Sequence, residues 1–159
     1  MLQLEVRELE GAELRAWDML VAGSAQGTVF HTSDWLVKNA SLQSQDLVLL
    51  GCYEGEELIG GCPLYLSRPY NLLRLASSTA ALTPYGGVVV TEIERAKQRR
   101  KEVHVNRIIA ALLEYIAQLE FDYVNLVNSP GLTDIRAFTR RGWNPVVYYT
   151  YILPLHDDI

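Results

Sequence analysis

The chain has 159 residues, 49% of them hydrophobic and 21% charged, with a formal net charge of -5. That is the size and balance of one folded domain, not of a disordered or fibrous chain, and the acidic excess argues against nucleic acid, DNA included, as a main partner. No apolar run reaches the ~18 residues that a membrane span needs, and the start MLQLEVRELEG is acidic where a signal peptide is basic, so the cytoplasm is the expected compartment.

Residues 2–9 alternate loosely in polarity and predict a first strand. Leu14, Trp17, Leu20 and Val21 then recur at helical spacing, with Gly23 as the stop. Thr32 or Ser33 is a good N-cap for a short helix over residues 34–40, and Asp34 in its first turn suits the helix dipole. His31 thus sits just before this helix, and Trp35 and Lys38 lie three apart on one side of it. Residues 47–53 and 58–66 are apolar runs joined by Glu54-Gly55-Glu56-Glu57, which predicts a hairpin. With the turn centred on Gly55, Cys52 falls near Leu58 and Cys62 near Val48, a register that keeps the two sulfurs apart and reduced.

Residues 72–76 and 87–90 bracket a small, turn-prone loop over 77–87. Val105, Ile108, Ile109, Leu112, Leu113 and Ile116 then form one apolar stripe, predicting a long helix over roughly residues 103–118 with Arg107, Glu114 and Gln118 on its other side. Residues 121–127 read as a buried strand. Ser129-Pro-Gly opens a short helix through Ile135 and Phe138, stopped by Gly142, and residues 143–155, rich in Val, Tyr and Ile, read as a long last strand. A long helix between strands implies a parallel pair, while the hairpin makes the other edge antiparallel. The expected fold is α/β: one domain over residues 1–159, with a mixed sheet of about six or seven strands flanked by helices.

That element order is similar to the GNAT acyltransferase fold. The segment AFTRRGW over residues 137–143 resembles the closing signature of GNAT domains. Three further segments resemble the first domain of Fem-type aminoacyl transferases: GTVFHTSDWLVK over 27–38, TPYGGVVV over 83–90, and YYTYILPL over 148–155. The resemblance implies transfer of an acyl or aminoacyl group to a substrate amine, with a nucleotide-linked peptidoglycan precursor as the substrate. Fem-type proteins resemble two such domains in tandem, so this chain reads either as the first half of one or as a stand-alone relative, with acyl-CoA or aminoacyl-tRNA as donor for the full protein. One departure stands out. Acyl-CoA-binding GNAT domains carry a glycine-rich loop before the long helix, whose amides cradle a pyrophosphate. Residues 90–103 here contain no glycine, so no acyl-CoA is expected to bind this chain by that route. The alternative function is therefore a non-catalytic half that binds substrate or a second GNAT-like domain and lacks an acyl-CoA site of its own.

Lys38 matches a position that the resemblance assigns to phosphate binding, a role suited to a mobile ammonium. It also reads as an ordinary solvated helix lysine. His31 could exchange a proton with substrate, or simply brace the following helix. Trp35 could stack on a ligand or fill the core. Tyr85, Gly86 and Gly87 could expose backbone to a ligand, though Gly-Gly is also turn chemistry. These six residues are the candidate substrate-binding set. The basic run Arg95, Lys97, Arg99, Arg100 and Lys101 could hold phosphates, but Glu92, Glu94 and Glu102 balance it as a solvated helix start. Tyr148, Tyr149 and Tyr151 alternate between sheet faces and read as structural. No catalytic residue can be named, and no His/Cys/Asp/Glu grouping has metal-ligand spacing.

Overall fold

The computed structural model describes residues 3–93, 95–151 and 153. Its elements run β1 (Leu4–Glu8), α1 (Leu14–Ala22), α2 (Ser33–Gln43), β2 (Asp46–Glu54), β3 (Glu57–Ser67), β4 (Leu75–Ser77), β5 (Val89–Val90), α3 (Gln98–Gln118), β6 (Tyr123–Asn125) and α4 (Arg136–Thr139). They build the expected mixed sheet, in the order β1-β2-β3-β4-β6 with β5 also on β3. Among the described residues no helix is long and apolar enough to cross a membrane.

The hairpin forms, but its register differs by two residues. Cys52 lies opposite Gly60 and Cys62 opposite Leu50. One residue of the shift arises because the turn is Gly55-Glu56, with Gly55 at φ 67. The other arises from a bulge where Ile59 is passed over between the Tyr53–Leu58 and Cys52–Gly60 pairs. Both cysteines are free and buried, and burial pushes the Cys52 thiol up to about 11.

Strand alternation sorts side chains into two cores. Leu50, Cys62, Leu64, Val88 and Val90 face α3, whose Ile108, Ile109, Leu112, Leu113 and Ile116 are buried against them. Leu49, Tyr65 and Val89 face the other way, onto Trp17 and Leu20 of α1 and Leu36 and Ala40 of α2. Glycines let the layers close: a Cβ on Gly60 would meet Ile108, and one on Gly61 would meet Trp17.

Four expectations change. α3 begins at Gln98, earlier than the apolar stripe reveals, because its first turn is polar and solvated. The crossover through α3 does produce a parallel pair, but between β4 and β6; β5 pairs antiparallel with β3 instead. The strand expected over 121–127 shortens to Tyr123–Asn125 and is only half-buried, because it is the last strand of the sheet. The long strand expected over 143–155 does not form among its described residues; Val146, Val147, Tyr148, Tyr149 and Tyr151 are exposed there. Ile152, Pro154 and Leu155 lie outside the described residues.

Candidate functional site

β4 and β5 occupy one edge of β3, pairing with Ser67–Tyr65 and with Gly61–Gly60 respectively. Between them the chain leaves the sheet over residues 78–88 and returns. The loop closes on itself so tightly that a Cβ on Gly86 would lie 1.7 Å from the Ser78 carbonyl oxygen. Gly87 has φ 59, and a Cβ there would fall 2.2 Å from Asn128 Oδ1. Only glycine fits either position.

α2 clamps this loop. Ahead of it, a turn over Val29–His31 buries His31 completely. His31 Nε2 lies 2.8 Å from the Gly86 carbonyl, which can only accept, so this nitrogen carries the proton. Nδ1 is then the acceptor for the Thr28 hydroxyl at 2.9 Å. Burial lowers the His31 pKa, with the Gly86 bond opposing. Trp35 Nε1 donates to Thr83 Oγ1 at 3.1 Å. Asn39 Nδ2 donates to Thr83 Oγ1 at 2.7 Å and to the Ala81 carbonyl at 3.1 Å. Phe30 meets Trp35 edge to face at 5.1 Å and Tyr85 at 6.1 Å. Thr32 is the N-cap residue without a side-chain cap bond. The cap comes from α1, where Asp18 accepts from the Ser33 amide at 2.7 Å and its hydroxyl at 2.6 Å.

His31, Trp35, Tyr85, Gly86 and Gly87 are thus brought together on one platform. Lys38 is not among them: it is 70% exposed and pairs with Asp34 at 2.6 Å along α2. His31 has both ring nitrogens engaged and no surface, so its visible role is to fasten the loop. Sequence reasoning missed Thr28, Phe30, Asn39, Thr83 and Asn128. Asn39 carried a readable signal, a polar residue between the buried faces of Leu36 and Ala40.

A second locus lies where β5 parts from the segment after β6. The Thr91 amide donates to Ile59 of β3 at 2.9 Å, so alternation turns the Val90 and Val88 amides to the opposite edge. Neither is free. The Val88 amide donates to Asn128 Oδ1 at 2.9 Å, and the Val90 amide to Gln26 Oε1 at 3.2 Å. Gln26 Nε2 goes on to donate to the Gly131 carbonyl at 3.3 Å, and Ser129 Oγ donates to the Gln26 carbonyl at 2.7 Å. Residues 24–27 therefore fill the parting. Beyond them opens a cleft of about 170 Å³ lined by Gln26, Thr91, Glu92, Lys101 and His104 among others. Thr91 donates its hydroxyl to the Ile59 carbonyl and so accepts from His104 Nε2 at 3.1 Å. Burial lowers the His104 pKa, opposed by the Thr91 bond. Of the basic run, Lys101 alone borders the cleft; Arg95, Lys97, Arg99 and Arg100 are exposed. Among the described residues no group of three or more His, Cys, Asp or Glu could hold a metal ion.

Acetyltransferases are among the solved structures that share this architecture. A ribosomal-protein-alanine N-acetyltransferase from Brucella melitensis biovar Abortus 2308 aligns over 96% of this chain and 99% of its own, at 14% identity and TM-score 0.52. A probable acetyltransferase aligns over 97% and 99%, at 15% identity and TM-score 0.55. Aminoglycoside N-acetyltransferase AAC(6')-Iy, in complex with CoA, aligns over 96% and 95%, at 14% identity and TM-score 0.53. No protein-family model matches the sequence, and no curated protein matches it significantly. At these identities the likeness is one of fold: the chain is a GNAT-fold domain with a mixed sheet flanked by helices.

Proposed function

We propose that this domain serves acyl or aminoacyl transfer by holding the acceptor substrate, while the acyl donor is held elsewhere in the complete protein. The observation that carries this reading is the capping of the Val88 and Val90 amides by Asn128 and Gln26. Ligands of open α/β sheets enter where strands part, and an extended arm is bound there through free edge amides. Here those amides are spent internally. The stretch before α3 has no glycine, so loop amides cannot approach a pyrophosphate in the usual way. A donor bound by the glycine-loop route therefore finds no cradle here.

The acceptor surface in this reading is the clamped platform. Phe30, Trp35 and Tyr85 supply half-buried aromatic area on a loop fixed by His31, with Gly86 and Gly87 setting its shape. Lys38 stands one turn away in an exposed ion pair, and such pairs are worth only about 0–1 kcal/mol, so a phosphate can compete for its ammonium. The acceptor is then an amine-bearing, nucleotide-linked precursor of the cell-wall type, used in the cytoplasm. A second GNAT-like domain would present acyl-CoA or aminoacyl-tRNA, as in Fem-type proteins, and holding amine and ester together would supply much of the rate.

The cleft beside Lys101 and His104 favours a second reading, in which this chain holds its own acyl donor. Calorimetry separates the two. Acetyl-CoA is expected to give no measurable binding, whereas a uridine-diphosphate-linked muropeptide binds and loses affinity by about 1–3 kcal/mol in Lys38→Ala, the order of one charge-assisted hydrogen bond. A micromolar dissociation constant for acetyl-CoA, about 8 kcal/mol of binding free energy, would overturn the first reading.

A further inference from the structure

The two side chains that cap β5 are held differently. Asn128 accepts from the Val88 amide at 2.9 Å and has Gly87 packed directly against it. Gln26 is held by longer bonds, at 3.2 Å from the Val90 amide and 3.3 Å to the Gly131 carbonyl, against the usual ~2.9–3.0 Å. It reaches both from residues 24–27, which belong to no helix or strand. Ser24 and Gly27 line a hollow of about 260 Å³ beside Asp18 and Val21 of α1, and Gln26 lines the cleft of about 170 Å³. The segment therefore has space to withdraw into. Its seat is nonetheless close: a Cβ on Gly131 would lie 2.0 Å from the Ala25 carbonyl oxygen, and one on Gly27 1.9 Å from that of Val21.

The Gln26 carboxamide does here what a peptide group does. Its oxygen accepts from β5 on one side of the parting, and its nitrogen donates to Gly131 on the other. An extended chain likewise offers C=O and N–H groups to neighbours on both sides. Withdrawal of Gln26 uncovers one donor, the Val90 N–H, and one acceptor, the Gly131 C=O. Left unpaired these buried groups are costly, and a single secondary amide satisfies both.

We infer that residues 24–27 are a displaceable plug, and that a secondary amide in the peptide stem of the acceptor takes the place of the Gln26 side chain between Val90 and Gly131. The assignment rests on the acceptor reading above. The acceptor, not an acyl donor, is the source of the amide because Tyr85-Gly86-Gly87 of the platform runs directly into Val88–Val90, whereas the stretch before α3 lacks the glycines a donor uses.

Calorimetry and amide hydrogen exchange with the uridine-diphosphate-linked muropeptide test it. In the free protein the Val90 amide should exchange faster than that of Val88, and the muropeptide should slow it. Gln26→Ala removes the internal occupant, and Gln26→Glu, of similar size, lacks the donor to Gly131. Each should bind the muropeptide about two- to tenfold more tightly, the scale of one net hydrogen bond, while Lys38→Ala still weakens the complex. Affinity unchanged or lowered in either Gln26 variant, with the Lys38 effect intact, would overturn the plug and leave the acceptor reading standing. A muropeptide that binds neither wild type nor variants would overturn both. Protection of the Val90 amide by acetyl-CoA and not by the muropeptide would give the amide to a donor, and so would also overturn the inference.

Discussion

His31 shows how one side chain can carry a loop. Its imidazole has no exposed surface and bridges Thr28 and the Gly86 carbonyl as the neutral ring. Protonation would put a charge in the core and remove the acceptor that Thr28 uses. Because burial lowers the folded pKa below the ordinary histidine value, the unfolded chain binds this proton first. The stabilising contribution is therefore complete above about pH 6.5, the unfolded value, and is lost as pH falls toward the folded pKa. Thermal melts from neutral to mildly acidic pH should show a decline that is smaller in His31→Gln. Equal pH slopes in the two proteins would show that His31 does not titrate on unfolding.

The clamp between α2 and residues 78–88 decides what the Tyr85-Gly86-Gly87 motif means. The left-handed conformation alone should make Gly87→Ala cost about 1–2 kcal/mol, and the contact with Asn128 adds to it. Asn39→Ala removes two hydrogen bonds to the loop and should cost about 1–3 kcal/mol. Gly11→Ala, with open space around its Cβ, serves as the neutral control. Chemical denaturation measures all three; a Gly87→Ala protein as stable as the control would contradict the loop geometry. The two glycines were legible as a turn. That Gly86 closes on Ser78 within the loop and Gly87 on Asn128 was not, because the first depends on how the loop folds back and the second joins segments far apart in sequence.

The sheet divides the molecule into two cores that share strands but face opposite ways. Leu112 lies in the α3 core and Leu36 in the α1–α2 core. Truncation of either to alanine should cost about 2–5 kcal/mol. The double variant should lose the sum to within about 0.5 kcal/mol, as for sites without shared partners. Denaturant titrations with unchanged slopes would check this, and a large coupling energy would mean that the two faces repack as one.

Periodicity determined α1 and α3, N-cap chemistry marked α2, and two apolar runs around a glycine turn marked the β2–β3 hairpin, though not its register. These signals also determined the mixed α/β class, since a hairpin and a strand–helix–strand unit in one chain leave few other sheets to build. Tertiary structure alone decided that β4, not β5, lies beside β6, because an edge of β3 can host either and the loop between them settles which. It decided that Asp18 caps α2 and that Gln26 and Asn128 cap β5, pairings between distant residues with no local signature. It left residues 143–151 without a sheet, although their composition is that of a strand. Propensity says which backbone a segment prefers, but only a neighbour with unpaired amides and carbonyls can make it a strand.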